Sequence, residues 1–344
     1  MFEPAYTITN KLLENIKSIT SLVHDLNRKR FPNPVLAEFI KNAESLSVHA
    51  STSIEGNPLP LTDVKRILKH KPENIRDSEQ EVLNYNEILK EINKKLEKES
   101  IYLTLDLILY IQKKITHKLI PSYQSGRLRV EPVFVNDPKA GITVYWPPDH
   151  KSVPYLMEEL IDFVDKNKKR LDPLIIAGLF HKQMVIIHPF MDGNGRTTRI
   201  ATKILMAGME LNIFNLFSFE NYYNQNVAMY FEMVGVKGNY YEVYKTIDFT
   251  SWLEYFTHGI IDELTRVGTK LPQIAVSPQT ELKPYHKKIL DFIDKKGFIT
   301  DHDYCKLTSR AKATRRLDFN KLIKLGLIIR SGKGKNTHYV LKEK

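Results

Sequence analysis

The stretch His188-Pro-Phe-Met-Asp-Gly-Asn-Gly-Arg-Thr-Thr-Arg199 places an imidazole, a carboxylate, two glycines and two guanidinium groups within one short segment. Gly193 and Gly195 allow positive φ and let the backbone approach a ligand closely. Successive N–H groups in such a turn form a concave anion site. Residues 196–211 are predicted to be helical, and the N-terminus of that helix favours the same anion. The stretch therefore predicts a polyphosphate site next to a proton acceptor.

The side chains of this stretch suit the same chemistry. Arg196 and Arg199 are three residues apart, so they project from adjacent positions on a helix, and guanidinium forks match phosphate oxygens. Asp192 offers the hard oxygen that Mg²⁺ prefers when water and substrate phosphate complete its shell. His188 has an ordinary pKa of about 6.5, so a small shift makes it a general base at neutral pH. A dinucleotide-binding fingerprint fits poorly because its third glycine is missing.

The stretch resembles the motif of the Fic family, H-P-F-x-D/E-G-N-G-R-x-x-R, at every defined position. Fic proteins mostly transfer AMP from ATP to a Ser, Thr or Tyr hydroxyl of a protein and release pyrophosphate. The resemblance implies that His188 deprotonates the target hydroxyl and that Asp192 holds Mg²⁺ against the α- and β-phosphates. It also implies which residues bind the phosphates of ATP. The α- and β-phosphates would be bound by Gly193, Asn194, Gly195 and Arg196, and the γ-phosphate would be held by Arg199.

A second resemblance lies far upstream, in Ser51-Thr-Ser-Ile-Glu55-Gly56-Asn57. It is similar to the inhibitory motif Ser/Thr-x-x-x-Glu-Gly/Asn of Fic proteins, whose glutamate pairs with the second motif arginine, here Arg199. A carboxylate there would occupy the donors that bind the γ-phosphate and would repel that phosphate. The resemblance thus makes Ser51, Glu55 and Gly56 regulatory residues. From the residues alone, Glu55-Gly56 predicts a helix end with glycine just after it.

Two further segments resemble Fic elements. Residues 132–136 and 142–148 are short β-branched and aromatic runs around Asp137-Pro-Lys-Ala-Gly141, which predicts a hairpin. It resembles the flap that Fic enzymes place over the active site, which implies that a protein substrate docks on residues 132–148 by strand addition. The segment 222–231 resembles the part that lines the adenosine pocket, which implies base contacts by Asn226 and Tyr230. Phe231 departs from the pattern, because many relatives have a second Tyr there.

Composition narrows the class of protein. The formal charge of +11 resides mainly in residues 281–344, whose net charge is +10. The single cysteine, Cys305, excludes an intrachain disulfide framework and suits a reducing compartment. The first ten residues lack the pattern of a secretory signal, and the longest apolar stretch, residues 174–180, is too short for a membrane span. We therefore expect a cytoplasmic protein without a membrane anchor.

Periodicity predicts a mainly α fold with strand signal confined to the flap hairpin. The predicted helices cover residues 7–30, 34–54, 62–71, 77–98, 104–118, 153–168, 172–186, 196–211, 219–234 and 249–266. We expect an N-terminal helical region at 1–104 that contains the inhibitory helix, a Fic catalytic core at 105–268, a proline-containing linker at 269–283 and a C-terminal domain at 284–344.

The C-terminal domain is predicted to contain helices at 285–296, 301–307 and 309–325, with Leu317, Leu322 and Ile323 facing inward, followed by two strands within 328–341. This pattern resembles a winged helix-turn-helix. It predicts that basic side chains contact DNA phosphates, while docking of a protein partner is the open alternative. The basic residues concerned are Arg310, Lys312, Arg315 and Arg316 on the recognition helix, and Lys333 and Lys335 on the wing.

These interpretations combine into an ATP- and Mg²⁺-dependent protein adenylyltransferase that Glu55 inhibits. Removal of AMP from a modified protein, transfer of UMP, and a DNA-binding regulator whose core only senses nucleotide remain alternatives. The sequence leaves open the target protein, self-modification, the oligomeric state and the signal that relieves inhibition.

Overall fold

The computed structural model describes residues 2–28, 33–136, 141–211, 213–275, 282–332 and 334–342. Residue contacts divide the chain into two compact units, Met1–Arg28 with Asn42–Arg266 and Lys29–Lys41 with Val267–Lys344. The predicted hairpin turn at residues 137–140 and the predicted wing residue Lys333 lie outside the described residues, as does the side chain of Lys335.

Helices make up most of the chain up to residue 275, and the predicted mainly α fold class is confirmed. They are α1 Asn10–Arg28, α2 Asn33–Ile54, α3 Leu61–Lys69, α4 Asp77–Leu96, α5 Leu105–Ile115, α6 Val153–Asn167, α7 Pro173–Ile187, α8 Asn194–Met206, α9 Glu220–Gln225, α10 Val227–Val234, α11 Tyr240–Val243 and α12 Thr250–Ala275. None of the helices within the described ranges is both long and apolar enough to cross a bilayer.

Two predicted boundaries in this part are wrong. The predicted helix 219–234 is two helices, because Asn226 interrupts it and its side chain accepts a hydrogen bond from the Met229 N–H at 3.1 Å. The predicted linker starts too early, since α12 continues to Ala275. Leu271 on this continuation is fully buried, and burial of an apolar side chain favours the ordered helix over a solvated linker.

The helix α7 is the central element of the first unit. Its side chains are buried on nearly every face, which is typical of a helix surrounded by other elements. Asp172 caps its N-terminus by accepting from the Leu174 N–H at 2.8 Å, with Pro173 in the first turn. At Gly178 a Cβ would lie 2.6 Å from a methyl carbon of Leu253, so glycine permits close packing of α12. This packing fixes the direction of α7 and hence the position of His188 directly after it.

A small sheet lies in the same unit, with the strand order β1 Val135–Asn136, β2 Thr143–Trp146, β3 Gly238–Asn239. The first two strands are antiparallel, with Val135 opposite Tyr145, and form the predicted hairpin. The third strand was not predicted. It pairs with β2 in parallel through Gly238 and Asn239, and these residue types give no strand signal because both are depleted in strands.

The second unit contains α13 Pro284–Lys296, α14 Asp301–Leu307, α15 Lys312–Lys324 and an antiparallel pair, β4 Ile328–Ser331 and β5 His338–Leu341. Thr300 caps α14 by accepting from the Asp303 N–H at 3.1 Å. The core is a cluster of aliphatic and aromatic side chains, namely Ile289, Ile293, Ile299, Tyr304, Phe319, Leu322 and Ile328. The order of helices and strands agrees with the sequence pattern, and assignment to the winged-helix class stays a prediction.

The inward face of α15 differs from the prediction. Leu322 is buried, but Leu317 is 66 % exposed and Ile323 is 36 % exposed. The buried face instead includes Arg315 and Asp318, because each is neutralised by partners within the unit. Arg315 donates to both Asp301 oxygens at 2.9 Å, and Asp318 accepts from Arg310 at 2.8 and 3.1 Å. Internal ion pairs thus occupy positions where apolar residues were expected.

Candidate active site

The loop between α7 and α8 carries most of the predicted site residues. His188 follows α7 in the left-handed region, at φ 50° and ψ 59°, and Gly193 precedes α8 at φ 79°. The Asn194 amide closes the loop, since its Oδ1 accepts from the Phe190 N–H at 2.9 Å and its Nδ2 donates to the Phe190 carbonyl at 2.8 Å. Both ends of this side chain are therefore used within the loop, which leaves the backbone N–H and the second Nδ2 hydrogen of Asn194 for an anion.

The start of α8 provides the anion site itself. The first N–H groups of a helix have no acceptor within that helix, and the helix dipole adds partial positive charge there. Gly193 is the N-cap of α8 and has positive φ, so the loop turns sharply into the helix. A Cβ added at Gly193 would lie 3.0 Å from a methyl carbon of Thr116. The turn and this tight packing explain the need for glycine at position 193.

The imidazole of His188 is placed to accept a proton. Burial lowers the pKa of His188 below its ordinary value, although the contact with Val185 and the charge of Glu55 oppose the shift. The ring is therefore neutral at neutral pH. Nδ1 lies 3.4 Å from the Val185 carbonyl oxygen. Because a carbonyl only accepts, this contact favours the tautomer with the proton on Nδ1, which leaves the Nε2 lone pair free to act as a base.

Arg199 lies at the centre of the site and is fully buried. Its Nε donates to Ser51 Oγ at 2.7 Å, and its Nη2 donates to the Ser51 carbonyl at 2.8 Å and to Glu55 Oε1 at 2.7 Å. The third nitrogen, Nη1, is buried and has no hydrogen-bond partner among the described residues. An unpaired buried donor on a cation is costly, and an anion bound at this place would satisfy it.

Gly195 leaves the space in which such an anion fits. A Cβ at this position would lie 2.1 Å from Glu55 Oε1 and 3.0 Å from Arg199 Nη1. The Glu55 carboxylate therefore occupies a volume that exists only because residue 195 is glycine. This carboxylate comes from the end of α2, which closes with Gly56 at φ 92° and an Asn57 N–H that donates to the Thr52 carbonyl at 3.1 Å.

Arg196 is held between two carboxylates. Its Nη1 donates to Glu81 Oε1 at 2.6 Å, and its Nη2 donates to both Asp192 oxygens at 3.0 and 3.1 Å. Glu81 also accepts from Asn57 Nδ2 at 2.6 Å. The guanidinium of Arg196 thus joins the loop to α4, and Glu81 joins α4 to the residue that follows the Glu55-Gly56 pair.

Asp192 suits only a metal ion that brings most of its own ligands. Its side chain is 46 % exposed, and the described residues contain no cluster of three His, Cys, Asp or Glu side chains that could form a complete metal site. A single accessible carboxylate fits Mg²⁺, which retains waters and is held largely by substrate phosphates. The donor set is therefore compatible with a nucleotide-bound ion and not with a permanent structural metal.

The two residues predicted to contact adenosine have unlike surroundings. Asn226 is exposed, and its Oδ1 is engaged as the cap of α10. Tyr230 is buried, its hydroxyl lies 3.0 Å from His181 Nε2, and its ring stacks on Tyr223. Burial raises the pKa of Tyr230 to about 12, so its hydroxyl stays neutral. The adjacent Phe231 is 44 % exposed and presents the more accessible aromatic face.

Sequence reasoning assigned no role to three residues that hold the site together. Glu81 binds Arg196, Arg129 donates to the His188 carbonyl, and Gln112 Nε2 donates to the Asp192 carbonyl at 3.1 Å. A polar residue in the middle of an apolar helix was the available signal for Gln112, which is fully buried. Nothing local marks Glu81 or Arg129, because their partners lie 115 and 59 residues away.

The loop between α7 and α8 lies within a segment that matches a known protein family. Residues 102–206 match the model of the Fic/DOC family. The chain is 32 % identical over 171 residues to "Protein adenylyltransferase Fic" of Nematostella vectensis, which covers 48 % of this chain and 38 % of the relative. It is 30 % identical over 197 residues to "Protein adenylyltransferase fic-1" of Caenorhabditis elegans, which covers 54 % of this chain and 36 % of the relative. The chain thus spans less than half the length of these curated relatives.

Solved structures show the same fold. A Fic family protein from Desulfovibrio desulfuricans G20 aligns with a TM-score of 0.65 over 100 % of this chain and 99 % of its own, at 18 % identity. Residues 134–508 of Fic-1 from C. elegans align with a TM-score of 0.59 over 76 % of this chain and 73 % of their own, at 21 % identity. At these identities the likeness establishes the fold of the chain.

Proposed function

Because residues 102–206 form a Fic domain, we propose that this protein transfers AMP from ATP to a Ser, Thr or Tyr hydroxyl of a protein and that Glu55 inhibits the transfer. The observation that supports this most directly is the environment of Arg199. A buried guanidinium has one nitrogen without a partner among the residues that the structure describes, and another nitrogen paired to a carboxylate that fills the space beside Gly195. An anion-binding position is thus present and is occupied by the chain's own anion.

The proposed reaction is an in-line displacement at phosphorus. The target's hydroxyl oxygen forms a bond to the α-phosphorus of ATP, the bond from that phosphorus to the bridging oxygen of the β-phosphate breaks, and pyrophosphate leaves. The hydroxyl proton passes to Nε2 of His188, whose pKa is lowered by burial so that the ring begins neutral. The N–H groups at the start of α8 stabilise the charge that develops on the phosphate oxygens.

Magnesium completes this proposal. Asp192 would hold a nucleotide-bound Mg²⁺, which supplies charge neutralisation at the phosphates. The Asp192 carboxylate accepts from Arg196 in the structure, and Glu81 accepts from the same guanidinium. Glu81 therefore offers Arg196 an alternative partner when Asp192 turns toward a cation.

Inhibition follows from competition at Arg199. With Glu55 in place, Nη2 is occupied, and only Nη1 is available to a γ-phosphate. Without Glu55, Nη1 and Nη2 together form a two-pronged donor that matches two phosphate oxygens. Loss of the carboxylate also removes a like charge from the position of the phosphate. A γ-phosphate that seats fully fixes the α-phosphate for attack, and small misplacements of reacting groups cost large factors in rate.

The test compares substituted chains incubated with ATP labelled in its α-phosphate. Glu55→Gly is expected to raise labelling of protein, including the chain itself, at least about tenfold, and the double variant Glu55→Gly/His188→Ala is expected to lose it. Glu73→Gly, which removes an exposed glutamate from another loop, is the matched control and should behave as the parent. Equal labelling by Glu55→Gly and the double variant would refute the assignment. Release of AMP from labelled protein by the parent chain would indicate the reverse reaction instead.

The target is proposed to dock on the flap, residues 132–148. The strand β1 is at the edge of the three-stranded sheet, so one side of it can pair with an added strand. Apolar side chains around it are exposed, including Phe134 at 57 % and Ile142 at 60 %. Exposed apolar groups beside an unpaired strand edge favour a protein partner at this surface.

The basic second unit is proposed to be a winged-helix domain that contacts DNA phosphates or a protein. Arg310 and Arg315, two of the four basic residues assigned to its recognition helix, are engaged in ion pairs, whereas Lys312 and Arg316 are exposed. A phosphate contact by this helix would therefore depend on Lys312 and Arg316. Residence in the cytoplasm remains a prediction from the single cysteine, Cys305.

A further inference from the structure

Arg129 contacts the flap and the catalytic loop at the same time. It is 3 % exposed. Its Nε donates to the His188 carbonyl at 2.8 Å, its Nη1 donates to the Glu131 carbonyl at 3.2 Å, and its Nη2 donates to the Pro148 carbonyl. Its backbone N–H donates to the Pro189 carbonyl at 2.9 Å. One residue thus joins the last residue of the flap, and the residue just before the flap, to the first two residues of the catalytic loop between α7 and α8.

The chemistry of this contact requires arginine. No ion pair of Arg129 with a carboxylate is present in the described part of the chain, so the buried cation is balanced mainly by the carbonyl groups that it contacts, and the charge of Asp149 acts on it only from a longer distance. Burying a charge without a directly paired counter-ion is expensive. Lysine has its donors on a single nitrogen and could not contact the three carbonyls that the separate guanidinium nitrogens contact. Burial lowers the pKa of Arg129, yet guanidinium stays charged throughout the working range of pH.

The backbone of His188 is the part that needs holding. A non-glycine residue in the left-handed region, here at φ 50°, has a conformational cost that the surroundings must offset. The His188 N–H is fixed by the Met184 carbonyl at 3.0 Å, and the His188 carbonyl is fixed by Arg129. On the flap, Tyr145 adds a second link, because its hydroxyl donates to the Ile186 carbonyl at 3.0 Å.

We propose that Arg129 is a positioning residue that couples the flap to the orientation of His188, so that a target docked on the flap finds the base correctly aimed. The inference rests on the proposed AMP transfer. It differs from a general structural role in what it leaves unchanged. The phosphates would be held by α8 and by Arg199, and no hydrogen bond in the described part of the chain joins Arg129 to either of them, so ATP binding should not depend on this residue.

The test uses Glu55→Gly as the parent and the chain itself as the acceptor of labelled AMP. Arg129→Lys keeps the charge and loses the fork, and Arg129→Gln loses both. Arg127→Gln, an exposed arginine two residues away, is the matched control. Both Arg129 variants are expected to label at least about tenfold more slowly at saturating ATP, with the half-saturating ATP concentration within about twofold of the control.

A second readout follows the imidazole of His188 by nuclear magnetic resonance as the pH is changed, and it needs no transfer activity. Arg129→Gln is expected to raise the pKa of His188, because a neighbouring positive charge is lost, whereas Arg129→Lys should leave it near that of Arg127→Gln. Labelling by Arg129→Lys at the control rate, or a loss of ATP affinity equal to the loss of rate, would overturn the proposal. An unchanged His188 pKa in Arg129→Gln would also overturn it. An inactive Glu55→Gly parent with the expected His188 shift would instead reject AMP transfer and retain the coupling.

Discussion

Two arginine-bearing helices of this chain look alike in sequence and differ in the partners of their guanidinium groups. In α8, Arg199 is fully buried, one of its nitrogens has no partner within the described ranges, and its carboxylate partner comes from a residue 144 positions away. In α15, Arg315 is also buried, but its nitrogens all donate within the second unit, to Asp301 and to the Arg310 carbonyl. A count of basic residues therefore does not locate an anion site, whereas a buried guanidinium nitrogen without a partner among the described residues marks a candidate position for one.

The largest effect is expected when the arginines themselves are substituted, and the comparison is between Arg199 and Arg315. In the Glu55→Gly background, Arg199→Gln should reduce AMP transfer by about a hundredfold or more, because a preorganised cation at the phosphates is lost. Arg315→Gln in the same background should transfer AMP at the parental rate within about twofold. Initial rates of labelling by the two variants measure the difference. Comparable losses in both would mean that the contrast between the helices is not functional.

Removal of a carboxylate that pairs with an arginine should lower the free energy of unfolding more in the second unit than at Arg199. Asp318 is 4 % exposed and accepts from Arg310 and Tyr304, so Asp318→Asn should lower the free energy of unfolding of the second unit by about 3 kcal/mol. Glu55→Gln should cost about 1 kcal/mol or less, since the Glu55 side chain is partly exposed and Arg199 keeps both Ser51 acceptors. Urea unfolding measures both, with the exposed Asp291→Asn as the control. A larger loss for Glu55→Gln than for Asp318→Asn would contradict the interpretation.

Acidification should act on both regions through buried histidines. Burial lowers the pKa of His181 and His188 in the first unit and of His286 in the second. When the pH drops below about 6.5, the unfolded chain binds protons that the folded chain does not. The free energy of unfolding therefore decreases on acidification, by at most about 1.4 kcal/mol per pH unit for each histidine. AMP transfer by Glu55→Gly should fall as the pH drops through the lowered pKa of His188. Denaturation profiles between pH 5 and 8 measure the free energy of unfolding, and rate profiles over the same range measure AMP transfer. An increase of either quantity at lower pH would contradict this prediction.

The smallest effect concerns the exposed face of α15. If the second unit binds duplex DNA, the Lys312→Gln/Arg316→Gln double variant should reduce the slope of log affinity against log salt by about 2, because each phosphate contact contributes about 0.9. The Arg310→Gln variant should leave the slope unchanged, since Arg310 pairs with Asp318 and stacks on Tyr285. Fluorescence anisotropy with a labelled duplex at several salt concentrations makes the comparison. An equal reduction in both variants would remove the distinction between paired and exposed basic residues.

Local patterns in the sequence were sufficient for most of the helices, for the pairing of β1 with β2 and for the contiguous motif between α7 and α8, but not for β3. Thr300 before α14 and Gly56 after α2 mark helix ends through their own backbone and side-chain chemistry, and the motif from His188 to Arg199 is contiguous. The predicted inward face of α15 was wrong because partners distant in sequence decide which of its residues are buried. Arg315 and Asp318 are buried because Asp301 and Arg310 neutralise them, and no helical periodicity contains that information.

The same reason explains the site residues that were not predicted. Arg129, Glu81 and Gln112 act on the loop through backbone carbonyls or through a guanidinium, and each comes from a different segment of the chain. Carbonyl groups are present in every residue, so a sequence gives no sign of which ones a buried arginine will contact. These contacts became visible only once the three-dimensional arrangement was known.

The clearance at Gly195 bears on how the proposed inhibition could be relieved. A methyl group there would collide with the Glu55 carboxylate, and in the proposed mode of ATP binding it would also lie close to the γ-phosphate. We therefore expect substitution at position 195 to impair ATP binding as well as inhibition. Movement of the Glu55 side chain or of the end of α2 would instead withdraw the carboxylate and leave the space beside Gly195 unaltered.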